Sequence, residues 1–233
     1  METYVPLEIL YEDDWVIAIN KPAGLLVHRS SIATNTDVYA LQLLRDQVGY
    51  YVFLIHRLDR KTSGILLFAK DKKSVQLFQK ALSSDQSTKT YIALVRGYFP
   101  DEAKVDYDLT NDKGKTQNAI TEFKLISTTE IDVPLGKFDT SRYSLIQAQP
   151  KTGRMHQIRK HLNHLRHPII GDRPHGCNKQ NKLFLEKWNL TKMLLHAKEM
   201  KIEHPYSEKK LSLAVPLPKY FDQILEKLNL TEY

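Results

Sequence analysis

Hydrophobic and polar positions sort this chain into short elements of contrasting period. Leu7 to Ile19 carries two apolar segments separated by the acidic turn Glu12-Asp13-Asp14, which predicts a β-hairpin. Lys21-Pro22-Ala23-Gly24 follows as a turn. Val38, Leu41, Leu44 and Val48 fall at helical spacing. Ile65 to Ala69 is an unbroken apolar run, the mark of a short buried strand. Asp71 is placed to cap a helix in which Val75, Phe78 and Leu82 recur at i, i+3 and i+7, with Ala81 beside them. Thr90 to Arg96 alternates, with Tyr91, Ala93 and Val95 on one face.

Further along, Pro100 to Asn118 is polar and reads as a long excursion. Ala119 to Ile126 and Arg142 to Gln149 predict strands. Lys151-Thr152-Gly153-Arg154 turns into a helix whose stripe is Met155, Ile158, Leu162 and Leu165, ended at His167-Pro168. Leu194 to His204 and Leu211 to Val215 predict a closing strand pair. The pattern specifies an α+β fold: a mixed, mainly antiparallel central sheet flanked by three or four helices and by loops. Neither a repeat nor a low-complexity linker divides it, so residues 1–233 are expected to form a single domain.

Composition narrows the partner. Of 233 residues, 42% are hydrophobic, enough for a proper core. Lys and Arg number 34 against 27 Asp and Glu, and the resulting +7 suits an anionic partner such as RNA or DNA, although many soluble proteins are as basic. Cys177 is the only cysteine, so an internal disulfide is impossible and a cytoplasmic location is expected. The start, Met1-Glu2-Thr3-Tyr4-Val5-Pro6, shows no secretory pattern, and no apolar run approaches membrane-spanning length.

Chemistry concentrates in three places. In His56-Arg57-Leu58-Asp59-Arg60-Lys61-Thr62-Ser63-Gly64 an acid sits between two arginines, whose charge favours its ionised form, and the strand that follows would hold the loop rigid. Asp59 is therefore a candidate catalytic aspartate facing a polyanion; the alternative is a structural ion pair with Arg57 or Arg60. In Gly153-Arg154-Met155-His156-Gln157-Ile158-Arg159-Lys160-His161, Arg159 lies beside the apolar stripe, where its guanidinium would reach a partly buried carboxylate, unless this is simply a basic helix face on phosphates or in solvent. In Lys89-Thr90-Tyr91, the tyrosine is either core or a stacking platform for an unpaired base. His156, His161, His164 and His167 crowd one segment, yet it contains no Glu or Asp to complete a zinc pattern, so no metal site is assigned. No G-x-G-x-x-G or phosphate loop occurs.

Taken together, His56-Arg57-Leu58-Asp59-Arg60 with Thr62-Ser63-Gly64 resembles the signature of the RluA family of pseudouridine synthases. So do Leu10-Tyr11-Glu12-Asp13, Asn20-Lys21-Pro22-Ala23-Gly24-Leu25, Lys89-Thr90-Tyr91, Gly153 to Arg159 with His167-Pro168-Ile169-Ile170-Gly171-Asp172, Leu194-Leu195-His196-Ala197, and His204-Pro205. The ordered matches span about residues 8–216. Within the family, Val27-His28-Arg29-Ser30, Thr140-Ser141-Arg142-Tyr143, His161 to Pro168 and Gly176 look most like the TruC group, which modifies uridine 65 of tRNA. Lys61 departs from relatives that carry Pro or Ala there.

The resemblance implies a catalytic fold without an added S4-like domain, and an isomerase that turns uridine into pseudouridine without a cofactor. It implies that Asp59 is the catalytic aspartate, that Tyr91 stacks on the uracil and acts in proton removal from C5, and that Arg159 pairs with Asp59. Arg57 would enter the space left by the flipped nucleotide, and Arg154, His156 and Lys160 would contact RNA. The expected partner is tRNA, with large-subunit rRNA or a binding-only RNA chaperone role as alternatives, and the expected state is a monomer away from membranes. Substrate choice is expected to lie in Ser30 to Asp37 and Pro100 to Asn118.

Overall fold

The computed structural model describes residues 5–28 and 38–231. Its elements in chain order are β1 (Glu8–Glu12), β2 (Val16–Lys21), α1 (Ala40–Val48), β3 (Phe53–Leu54), β4 (Ser63–Ala69), α2 (Lys72–Leu82), β5 (Thr88–Arg96), β6 (Glu102–Asp106), β7 (Leu109–Thr110), β8 (Thr116–Gln117), β9 (Ile120–Ile131), β10 (Ser141–Pro150), α3 (Gln157–His164), α4 (Asn178–Trp188), β11 (Leu195–Glu203), β12 (Lys210–Ala214) and α5 (Lys219–Lys227). They form two compact units, Met1–Thr88 with Ala197–Pro216, and Lys89–His196 with Leu217–Tyr233.

In the first unit Asp13 makes the opening hairpin. Its Oδ1 accepts from the backbone N–H of Trp15 and Val16 at 2.8 and 2.9 Å, an Asx turn that reverses the chain between β1 and β2. β2 pairs antiparallel with β4, Val16 facing Ala69 and Lys21 facing Gly64. Every residue of β4 is buried, as the unbroken apolar run requires. β3 lies along the other edge of β4, and β12 pairs with β11. Asp71 caps α2 as expected, its carboxylate accepting from Ser74 N at 2.8 Å. Phe78 and Leu82 carry that helix onto Val16, Ile65, Leu67, Met200 and Leu213.

In the second unit β5, β10, β9 and β6 form a continuous antiparallel run. The alternation of β5 is real and divides its side chains between two cores. Ile92 and Leu94 join Tyr143, Leu145, Phe184, Phe221 and Ile224 on one face. Ala93 and Val95, with Tyr91 packed alongside, join Phe123, Ile146, Ile158 and Leu162 on the other.

Four expectations need correction. The Pro100 to Asn118 excursion contains β6, which pairs with β9, and the small β7–β8 hairpin. Its period of two is carried only by Ala103 and Val105 and is masked by Glu102, Lys104 and Asp106. β9 runs on to Ile131, and Met155 lies ahead of α3 rather than on it. The described residues hold five helices, because α4 and α5 add to those predicted. The predicted substrate loop Ser30 to Asp37 lies outside the described residues.

Candidate active site

Asp59 and Arg57 belong to the first unit, and Tyr91, Arg154, His156, Arg159 and Lys160 to the second. Asp59 is half-buried in the loop that joins β3 to β4. The loop is built from both ends. Ile55 and Leu58 are buried before the acid, and Thr62 and Ser63 after it. His56 Nε2 accepts the Leu67 N–H at 3.1 Å, so the imidazole continues the β3–β4 ladder one step after the strand itself has left it. Thr62 N closes a turn on Asp59 O at 3.1 Å. Gly64 has φ +109°, and a Cβ there would stand 2.2 Å from Ala197 O, so only glycine lets β4 lie this close to β11.

The turn at Pro22 to Leu25 braces the same loop. Gly24 N donates to Arg60 O at 2.8 Å, and Arg60 Nε donates back to Gly24 O at 2.9 Å. Beneath them lies Lys21, fully buried. Its Nζ donates to Pro22 O, Leu25 O and Arg60 O at 2.8, 3.0 and 3.2 Å. Burial pushes the ammonium down to about 7, against the opposing pull of the Asp59 charge. Lys21 was legible only as part of a turn; its placement at the end of an apolar strand was the signal that it points inward. Arg57 is exposed.

In the second unit Tyr91 faces Ala148 across β5 and β10 and is half-buried against the core that Ile158 and Leu162 enter from α3. Arg159 is 6% exposed. Its Nε donates to Asp172 Oδ2 at 2.7 Å and its Nη2 to Oδ1 at 2.8 Å, the bidentate carboxylate contact that its position beside the stripe demands. Asp172 is a residue that sequence reasoning quoted without giving it a role. Asn181 secures it from α4, accepting from Gly171 N at 2.8 Å and donating to Asp172 O at 2.6 Å.

The crowded histidines have distinct partners. His156, left-handed at φ 55°, places Nδ1 2.9 Å from His175 Nε2. His161 is fully buried; Tyr107 O can only accept, so Nε2 carries the proton and Nδ1 accepts from Thr121 Oγ1, at 3.1 and 2.9 Å. Burial holds His161 below its ordinary pKa. His164 stacks on Tyr107, ring centroids 4.3 Å apart, and His167 Nδ1 lies 2.9 Å from Arg96 O. Two of the basic residues assigned to RNA also hold backbone: Arg154 Nε donates to Asn118 O at 2.9 Å and Lys160 Nζ to Thr110 O at 3.3 Å.

Residues 15–164 match the family model for RNA pseudouridylate synthase, and the chain belongs to that family. It is 40% identical to tRNA pseudouridine synthase C of Vibrio vulnificus, over 96% of each chain. It is likewise 40% identical to tRNA pseudouridine synthase C of Salmonella typhi, over 96% of this chain and 90% of that one. Among solved structures, human RNA Pseudouridylate Synthase Domain Containing 4 superposes with a TM-score of 0.73 at 26% identity, covering 96% of this chain and 94% of that one. No helix among the described residues is long and apolar enough to cross a membrane.

Proposed function

We propose that this chain is a tRNA pseudouridine synthase acting on uridine 65, as a monomeric cytoplasmic enzyme with one catalytic domain. The observation that carries the reading is its 40% identity, along almost the full length of both chains, to relatives named for tRNA. In the reaction the C1′–N1 glycosidic bond breaks, the uracil turns while held, and a C1′–C5 bond forms. The proton lost from C5 is balanced by one gained at N1, so neither electrons nor a group enter from outside.

Asp59 is proposed as the catalytic carboxylate, Tyr91 as the ring that stacks on the uracil and takes part in removing the C5 proton, and Arg159 as the cation that serves Asp59. Asp172 supports this role for Arg159 by fixing two of its nitrogens. The target base must leave its stack, at a cost of a few kcal/mol. Phosphate contacts by Arg57, Arg154, His156 and Lys160 are proposed to offset that cost.

The test is release of tritium from C5-labelled uridine in tRNA transcripts and in large-subunit rRNA, run with Asp59→Ala beside the unaltered enzyme. Release from tRNA, absent with Asp59→Ala and lost when uridine 65 is replaced, supports the reading. Release from rRNA alone overturns the substrate, and equal release by Asp59→Ala overturns the site.

A further inference from the structure

Positive charge is unevenly distributed along this chain. Residues 151–192 hold ten lysines and arginines against two acids, more than the whole surplus of +7, so the rest of the chain is close to neutral. All of this stretch lies in the second unit. Arg154, His156 and Lys160 occupy its first part. The second part is α4 and the turns around it, whose cations have been given no role. The two parts meet where His175 Nε2 lies 2.9 Å from His156 Nδ1.

α4 buries only Gln180 and Phe184, and its three lysines, Lys179, Lys182 and Lys187, are exposed. Glu186 is the one acid on the helix. It reaches Lys182 at 3.6 Å with both side chains largely in water, a pair that contributes little. Lys187 and Lys192 lie over the rings of Trp188 and Tyr220, at 5.7 and 4.7 Å, and are already engaged. Arg173 and Lys182 line a cleft of about 250 Å³ together with Asn178, Leu185 and Leu190. Asn181 lines it as well and is fixed on Gly171 N and Asp172 O, so the cleft is preformed. Its volume is below about 300 Å³, the lower end for sites that enclose a small molecule. Two cations and an amide beside so small a space suit one phosphodiester of a longer polyanion.

We propose that Arg173, Lys179 and Lys182 form a docking surface for the sugar–phosphate backbone of the RNA, separate from the residues that meet the target nucleotide. The inference rests on reading tRNA as the substrate.

Arg173→Gln, Lys179→Gln and Lys182→Gln, made together, remove three exposed charges and no buried side chain. Filter binding to tRNA from about 50 to 200 mM salt reads the surface. Affinity is expected to fall about tenfold or more at the low-salt end, and the slope of log affinity against log salt to lose about 1 for each contact removed. KM for tRNA should rise with it while kcat at saturation stays within about twofold, because docking is lost and the reacting groups are untouched. The control is Lys72→Gln, Lys73→Gln and Lys80→Gln, which removes three exposed charges from α2 in the first unit and should leave the slope nearly unaltered. Equal losses in both triple variants would mean that net charge alone acts. An unchanged slope in the α4 variant would mean that no phosphate is held there. Either result overturns the proposal, as does a fall in kcat with KM unchanged. If the unaltered protein released no tritium from tRNA, the reading of function would fall, while the salt slopes on the same RNA would still decide the surface.

Discussion

Arg159 and Asp172 meet fork to fork in the second unit, with contacts of 2.7 and 2.8 Å, and both side chains are almost wholly withdrawn from solvent. Removing one member of such a pair strands the other's charge, which typically costs about 3–5 kcal/mol. Asp172→Ala should lower the unfolding free energy, read from urea denaturation, by an amount in that range. The double variant Asp172→Leu with Arg159→Met should lose less than the sum of the two single changes, read from a double-mutant cycle. Additive losses would show that the pair is not coupled.

Asp59→Asn removes the carboxylate charge and keeps the shape of a half-buried loop residue. Its melting temperature and tRNA affinity should match those of the unaltered protein, and pseudouridine formation should be undetectable. Calorimetry, filter binding and tritium release check the three parts, and substantial turnover in a clean preparation would remove Asp59 from the chemistry.

Tyr91→Phe retains the ring that packs against Ile158 and Leu162 and loses only the hydroxyl. Stability should stay within about 0.5 kcal/mol, the usual range for a change that disturbs no packing, while most activity disappears. Full activity in Tyr91→Leu would make this tyrosine a core residue only.

His161 supplies a pH dependence whose sign is fixed by burial. Its folded pKa lies below the ordinary value, so the folded state rejects a proton that the unfolded state accepts. Its contribution is fully present above the unfolded value, about 6.5, and is lost as pH falls below it. Urea midpoints between pH 7.5 and pH 5 should therefore decline more steeply for the unaltered protein than for His161→Gln. Parallel curves would mean that His161 does not titrate differently on unfolding.

Gly64→Ala places a methyl 2.2 Å from Ala197 O at a φ of +109°. A loss of more than about 1 kcal/mol is expected, since both sterics and backbone oppose the change. Activity should fall with it, because Gly64 is the second residue of the strand that ends the Asp59 loop. Thermal unfolding and tritium release on one preparation test both.

Local signals in the sequence carried much of this structure. The Asp13 hairpin, the Asp71 cap and the β4 run are decided by neighbouring residues, and each forms as predicted. β6 was obscured because its charged residues outnumber its two apolar ones. α5 carries a stripe in Phe221, Ile224 and Leu225, continued by Leu228 at its C-terminal cap, so periodicity alone could have found it. α4 was harder, since Gln180 and Phe184 are its only buried residues.

At the candidate site, residue types were legible and partners were not. Asp172 is 13 positions from Arg159, across a turn that no local pattern specifies. Lys21 reads as an ordinary turn lysine until the fold buries it.

The segment from Tyr107 to Asn118 is fastened at three points, to His161, Lys160 and Arg154, all on or just ahead of the helix that bears Arg159. It is thus no detachable module. A specificity graft between relatives would have to carry this stretch and its helix together, and a change in the length of the stretch would be felt at Arg159 before it reached any RNA.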